Sequence, residues 1–342
     1  MLEMHNDMLR FSFPDIHPDA ILDVTFVRTL RIPDDDRDYP LPPGLGHFPL
    51  RHVDDFADRV PAGWVTHGGV MLPMYQAEAL WISFNAHHVP GHGTQYPFAV
   101  KVGTGKVSAV TGDDWQTGLR EKDYLVTPPQ PWLDGYCVEE GVVRQFVAAP
   151  LGWGFSAEEQ ITGKAEHGGV QIEVFPMKAD VFRERFPRRA SFLRSTGIRT
   201  LDDGDAPVAV ACAAMGIAPG GRMKQQIFED KHGKDAWDLS VSRSRCFVHL
   251  ANSLAWRAIT REEAPSTPVT AKLYTDHGYP WFDYYEDSTK SLVGTGKVKN
   301  LKSVLQMGFQ KGLNILPENE SMSPERVVVL GRRPGEVRVG SW

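Results

Sequence analysis

The sequence predicts a β-rich α+β protein, with an antiparallel sheet or sandwich built from consecutive hairpins and a smaller mixed α/β portion. Residues 94–176 give the first indication, because three glycine-containing turns break a series of alternating or apolar runs there. Helix signals come later, where Thr267 suits an N-cap, Pro268 the first helical position and Gly278 the position past the end. A hydrophobic content of 42% and a charged content of 23% are those of a globular protein.

Along the chain, the sequence divides into three parts, which one domain of this size could hold together. Residues 1–65 are rich in Asp and Pro and predict an extended N-terminal arm, packed over the main body, with one or two short strands such as Ile21–Arg28. Residues 66–178 predict the hairpin-rich β core, and residues 179–342 predict a mixed α/β portion packed on that core. The three turns of the core are Gly103–Gly105, Glu139–Gly141 and Glu166–Gly169.

Charge and apolar patterning limit the classes of partner. The formal net charge of -6 over 342 residues argues against a general nucleic-acid binder, which normally presents a basic face. The same charge provides no attraction to an anionic membrane, and no apolar run approaches the roughly 20 residues of a membrane-spanning helix. The first residues show no signal-peptide pattern. We therefore expect a soluble, cytoplasmic protein without membrane or nucleic-acid partners, and a homo-oligomer is possible.

The middle hairpin predicts the first candidate site. A three-residue turn at Glu139–Gly141, with glycine in the left-handed position, would set Val138 opposite Val142 and Tyr136 opposite Arg144. Asp134 would then lie diagonal to Arg144 on the same face. Arginine offers a planar donor fork for a carboxylate or phosphate, so the cluster could bind a polar ligand. The alternative is a structural ion pair on a solvated face of the sheet.

A second group of polar residues follows the third turn. Gln171 and Glu173 alternate with apolar neighbours and share one face of a predicted strand. If that face borders Asp134, two carboxylates could act as general acid and base, with Gln171 and Tyr136 binding substrate. Trp132 could stack on a sugar or nucleobase. The alternatives are an outward face that meets water and an aromatic group used for core packing or an oligomer interface.

Three histidines, His87, His88 and His92, lie in one short loop. Imidazoles at this spacing could bind a divalent metal ion if a carboxylate completed the site. The spacing matches no recognised metal motif, and a surface loop rich in histidine is the favoured interpretation. No other cofactor is predicted.

Three motifs resemble an uncharacterised bacterial protein family, some members of which are labelled integral membrane protein. They are Gln130–Gly135, Val143–Phe146 and Pro280–Tyr285. The resemblance covers approximately residues 40–340 and implies a single cooperative architecture. It implies no activity, cofactor or catalytic residue. The membrane label does not fit this sequence, which has no apolar run long enough to span a bilayer.

Two hypotheses about function follow. The favoured one is an enzyme, a hydrolase or lyase, that acts on a polar or anionic small molecule. Asp134 and Glu173 would supply acid/base chemistry, and Arg144 would position an anionic group. The alternative is a non-catalytic ligand-binding or assembly protein that uses the same polar and aromatic face.

Overall fold

The structure is a computed structural model that describes residues 1–188, 214–240, 245–284, 290–313 and 320–330. Strands predominate in these ranges, most pairings are antiparallel, and the helices are short. The predicted β-rich α+β class is therefore confirmed.

Twenty-one strands lie within the described ranges, and seventeen of them, β1–β8 and β11–β19, form one hydrogen-bonded sheet. β9 pairs with β10, and β20 pairs with β21. The strands are β1 (Leu2–His5), β2 (Met8–Ser12), β3 (Ile21–Thr29), β4 (Asp38–Tyr39), β5 (Gly44–His47), β6 (Arg51–His52), β7 (Val70–Met74), β8 (Ala79–Ala86), β9 (His88–Val89), β10 (Thr94–Gln95), β11 (Phe98–Thr104), β12 (Val107–Ser108), β13 (Leu125–Thr127), β14 (Trp132–Leu133), β15 (Gly135–Glu139), β16 (Val142–Pro150), β17 (Val170–Pro176), β18 (Ala214–Lys224), β19 (Arg245–Asn252), β20 (Trp281–Tyr284) and β21 (Val327–Leu330).

The helices of the described ranges are each eight residues long or shorter. The helix expected after Thr267 begins three residues later, because Thr270 is the N-cap, and its side chain accepts from the Leu273 N–H. The helices are α1 (Ala62–His67), α2 (Ala157–Thr162), α3 (Ala179–Arg185), α4 (Ser253–Thr260), α5 (Ala271–Asp276), α6 (Gly296–Lys299) and α7 (Val304–Gln310), with 3-10 turns at Asp54–Phe56 and Lys234–Ala236.

The sheet branches because long strands change partners along their length. On β16, residues 142–145 pair with β15, and Phe146 and Val147 pair with β8. The other edge of β16 pairs with β18 along most of its length. Strand β11 similarly pairs with β17 on one edge, and with β12 and β13 in turn on the other. This branching brings residues far apart in sequence around a continuous apolar core.

The structure contains two of the three predicted hairpins. Strands β11 and β12 turn at Gly105-Lys106, slightly later than expected. In the middle hairpin Tyr136 lies opposite Arg144, as predicted, but Glu139 rather than Val138 pairs with Val142. A bulge between Cys137 and Glu139 takes up the extra residue.

The third predicted hairpin is wrong. The turn at Glu166–Gly169 follows α2 and leads into β17, so it connects a helix to a strand. Ser156 caps α2 in a capping box with Glu159, which explains why this segment is helical. β17 instead pairs with β11 and β19.

Residues 1–65 do not lie over the sheet as an extended arm. They contain six strands of the main sheet, and β3 pairs with β8 from Leu22↔Ala86 to Thr29↔Ala79. Leu22, Val24 and Phe26 of β3 are fully buried. The N-terminal segment is thus an integral part of the core.

Candidate functional site

The side chains of the predicted Asp134–Tyr136–Arg144 cluster have separate hydrogen-bond partners, although Tyr136 lies opposite Arg144 as predicted. The Tyr136 hydroxyl hydrogen-bonds to the Thr104 hydroxyl at 2.7 Å and donates to the Ile217 carbonyl oxygen at 3.0 Å. Tyr136 is fully buried, and burial raises the pKa of its phenol. These contacts give Tyr136 a structural role in the core.

Arg144 points to a different set of partners. Its guanidinium lies 3.5 Å from the Asp34 carboxylate and 3.8 Å from Asp36, and it donates to the Gly220 carbonyl oxygen at 3.2 Å. Both Arg144 and Asp34 are buried. The predicted substrate-binding arginine is therefore occupied by a buried ion pair with the N-terminal segment.

Asp134 lies in a buried polar contact with Gln225. The Asp134 backbone N–H donates to Oε1 of Gln225 at 3.0 Å, and Nε2 of Gln225 donates back to Oδ2 of Asp134 at 2.8 Å. Burial raises the pKa of Asp134 to about 8, and a hydrogen bond from the Trp132 side chain opposes this effect. Asp134 is therefore largely protonated near neutral pH.

Glu173 and Gln171 are both buried, so their face of β17 does not meet water. Burial raises the pKa of Glu173, and the nearby Lys101 opposes this effect. Lys101 lies opposite Glu173 in the sheet and forms a 2.7 Å ion pair with Asp123. Gln171 donates to the Gly105 carbonyl oxygen at 2.6 Å. The two predicted catalytic carboxylates, Asp134 and Glu173, have separate partners.

The three loop histidines also have separate surroundings. His87 donates from Nε2 to the Asp23 carboxylate at 2.8 Å, and His92 donates to the Phe186 carbonyl oxygen. His88 is exposed. Among the described residues, no group of three or more His, Cys, Asp or Glu side chains is placed to hold a metal ion.

Trp132 borders a cleft of about 740 Å³ on the outer face of β3 and β8. Trp81 meets Trp132 edge to face with ring centroids 5.6 Å apart, and Tyr284 does so at 5.1 Å. These three rings form an aromatic wall. Of the residues predicted from sequence to form a site, Trp132 alone lines this cleft.

Polar side chains line the cleft beside the aromatic wall, and strand register explains their positions. Asp23 lies opposite Asn85, and Thr25 lies opposite Ser83 on the neighbouring strand. Ser83 in turn lies opposite Trp132 of β14. Because side chains on one face alternate with period two, these residues project together into the cleft.

Asp23 carries a fixed negative charge at one end of the cleft. Arg10 donates two hydrogen bonds to its carboxylate, at 2.7 and 2.8 Å, and His87 donates a third. Burial alone would raise the pKa of Asp23, but these hydrogen bonds outweigh it and hold the pKa below its usual value. Asp23 therefore remains ionised. No lysine or arginine in the described ranges lines this cleft.

A second concavity of about 280 Å³ shares Pro131, Trp132 and Tyr284 with the cleft. Gln225, the partner of Asp134, lines it, as does Asp283. Trp132 therefore connects three features, since it lines both concavities and hydrogen-bonds to the buried Asp134.

Sequence reasoning missed Asp23, Trp81 and Asn85. The available signal was the alternation of polar and apolar residues along β3 and β8. The pairing of β3 with β8 brings these residues together, and it cannot be seen in the sequence because the two strands are far apart along the chain.

No family model, curated protein or solved structure matches this chain. In the described part of the chain, no helix combines the length and apolar character needed to span a bilayer.

Proposed function

We propose that the cleft beside Trp132 binds a neutral, hydroxyl-rich ring compound of the carbohydrate class. The observation that carries this proposal is the aromatic wall of Trp81, Trp132 and Tyr284 beside the polar residues of β3 and β8. This is the ligand-binding alternative drawn from the sequence, at a site that shares Trp132 with the predicted one.

The chemistry of the two walls supports a sugar ring. A pyranose presents apolar C–H groups on its faces and hydroxyls at its edges, so it can pack on an indole and still hydrogen-bond to polar side chains. Asp23 can accept from a hydroxyl, and Asn85 can both donate and accept. Both line the cleft.

The charge of the cleft favours a neutral ligand over an anion. Asp23 is ionised, and its partner Arg10 does not line the cleft. A carboxylate or phosphate placed there would lie near the ionised Asp23, and no lysine or arginine of the described residues lines the cleft to pair with it. This argues against the anionic substrate considered from the sequence.

Trp132→Ala is expected to weaken binding of neutral mono- and disaccharides about tenfold, through loss of about 1.5 kcal/mol of stacking. The measurement is titration calorimetry on the full chain, after a thermal-shift screen of neutral sugars, nucleosides and citrate. Asn85→Ala tests the polar wall at an exposed position. Trp153→Ala is the matched control, because Trp153 is exposed and lies outside the cleft.

Unchanged affinity in both cleft variants would contradict the proposal, as would stabilisation by citrate alone. Preferential binding of nucleosides would retain the cleft and replace the sugar with a base. Sugar binding that Trp153→Ala abolishes would move the site elsewhere.

A hydrolase or lyase activity is a second proposal, and the Asp23–His87 pair favours it. His87 is about one-third exposed, and it donates to the ionised Asp23 carboxylate that lines the cleft, which would orient His87 as a general base. Asp134 and Glu173, the carboxylates expected from the sequence, are both almost fully buried. Turnover of a bound disaccharide that His87→Gln abolishes without loss of affinity would support this activity. Turnover retained in His87→Gln would contradict the assigned base.

A further inference from the structure

The cleft beside Trp132 and the second concavity adjoin each other along a shared wall. Pro131, Trp132 and Tyr284 line both of them, and Tyr284 meets Trp132 edge to face. The cleft alone, with a volume of about 740 Å³, lies in the upper part of the roughly 300–1,000 Å³ range of pockets for drug-sized ligands. A single sugar ring is smaller than such a ligand, so it would occupy only part of this surface.

The second concavity offers polar groups that a bound sugar could reach. Lys224 and Gln226 line it, and both are exposed. The Gln226 amide can donate and accept hydrogen bonds, and the Lys224 ammonium can donate them. Leu41 and Val329 line the same concavity and add apolar surface. The second concavity therefore repeats the combination of polar groups and apolar surface that the cleft presents.

The charges that line the second concavity balance. Lys224 and Asp283 are its charged lining residues within the described part of the chain, and they have opposite signs. An anion that approached Lys224 would also approach Asp283, so neither sign of ligand charge is favoured. The second concavity thus suits the class of neutral ligand that the cleft suits.

Two glutamine side chains hold the shared wall in position. Nε2 of Gln130 donates to the Trp132 carbonyl oxygen at 2.9 Å, and Nε2 of Gln225 does so at 3.3 Å. Trp132 also lies opposite Ser83 of β8 in the sheet. The backbone of Trp132 is therefore fixed before a ligand arrives, which lowers the ordering cost of binding.

We propose that the ligand is a neutral oligosaccharide of two or more linked rings that binds across Trp132. This inference rests on the proposed sugar-binding function and extends it. One ring would lie in the cleft, the linkage would cross the shared wall, and the next ring would lie in the second concavity beside Gln226. Once the first ring is bound, the second binds as part of the same molecule, so the added contacts strengthen binding without a second loss of translational freedom.

The test is titration calorimetry of the full chain with glucose and with its linked series, cellobiose and cellotriose, and maltose and maltotriose. At least one trisaccharide is expected to bind about tenfold or more tightly than glucose, because it reaches both concavities. Trp132→Ala should weaken glucose and trisaccharide alike, since Trp132 lines both concavities.

Gln226→Ala and Lys224→Ala separate the second concavity from the cleft. Each should weaken trisaccharide binding at least about threefold through loss of a hydrogen bond, and each should leave glucose binding unchanged. Neither residue lines the cleft, and both are exposed, so the fold should tolerate the changes. Gln310→Ala is the matched control, because Gln310 is exposed and lies outside both concavities.

The outcomes distinguish this proposal from the one on which it rests. Binding of glucose with equal affinity for every longer sugar would overturn the oligosaccharide proposal and leave the sugar-binding cleft intact. A gain with chain length that persists in the Lys224→Ala, Gln226→Ala double variant would place the further rings elsewhere and would also overturn it. Absence of binding by any sugar of any length would overturn both.

Discussion

Lys101→Met is expected to lower the free energy of unfolding by about 3–5 kcal/mol, because it leaves buried charges without their partner. The Lys101 side chain is 1% exposed, and its ammonium lies 2.7 Å from the Asp123 carboxylate. It also donates to the carbonyl oxygens of Gln116 and Gly118, and it faces Glu173 across the sheet. Methionine retains most of the apolar volume and removes all of these interactions.

Urea unfolding followed by circular dichroism at neutral pH measures this loss. Lys297→Met is the matched control, because Lys297 forms a 2.9 Å ion pair with Asp113 in which both side chains are about half exposed. That pair should contribute less than about 1 kcal/mol. Equal losses in the two variants would show that the Lys101 cluster is not a buried network.

The loss in Lys101→Met should also diminish in acid. Burial raises the pKa of Glu173, and without the ammonium the charge of Lys101 no longer opposes that rise, so the native variant favours protonation of Glu173 more strongly than the unfolded chain does. The variant should therefore gain stability relative to wild type as the pH falls. If the difference in free energy of unfolding between Lys101→Met and wild type does not vary with pH, the loss would come from packing rather than from charge.

The surroundings of Lys101 show what the alternation of side chains along a strand can and cannot predict. Alternation correctly places Gln171 and Glu173 on one face of β17, since that follows from strand geometry alone. Whether the face meets water depends on what covers it. Here the loop after β12 covers it, with Trp115 against the Lys101 ammonium, and no pattern within β17 encodes that contact.

The middle hairpin shows the same limit. The predicted Tyr136–Arg144 pairing is correct because the bulge between Cys137 and Glu139 compensates for a turn that is one residue shorter than predicted. The partner of Arg144 is Asp34, more than a hundred residues earlier in the chain. The aspartate-rich N-terminal segment resembles a solvated arm by composition, so a strand near residues 21–28 could be expected from it, but the pairing of that strand with β8 and the ion pair with Arg144 could not be derived locally.

The cleft beside Trp132 was partly predictable. Trp132 stands out because an aromatic residue lies beside polar ones in a turn-rich segment. Asp23 and Asn85 could be identified only by pairing β3 with β8, whose residues are separated by some sixty positions. Strand pairing at such separation depends on the whole sheet rather than on local propensity.

Asp134→Asn is expected to stabilise the protein increasingly as the pH rises from 4 to 8. Burial raises the pKa of Asp134 from its ordinary value of 3.8 to about 8 in the fold. Between these values the unfolded chain has released the proton and the native chain holds it, so the wild-type free energy of unfolding falls as the pH rises. Across about four pKa units the loss reaches about 5 kcal/mol, and asparagine does not ionise.

Urea unfolding of both proteins at several pH values between 4 and 9 measures this effect. The difference between variant and wild type isolates Asp134, because every other titrating group is common to both. It should be smallest near pH 4, grow through neutrality and level off above pH 8. Asp15→Asn, at an exposed position, controls for loss of a surface charge and should give a flat difference.

A difference between Asp134→Asn and wild type that is constant with pH would contradict a buried, protonated Asp134. A variant that is less stable at every pH would mean that the ionised carboxylate is needed by its donors, Gln225 and the Trp132 side chain. The expected result instead makes Asp134 a neutral support behind Trp132. At and below neutral pH the protonated Asp134 would help to hold Trp132, which lines both concavities, in place. Ionisation of Asp134 at higher pH would weaken this contact.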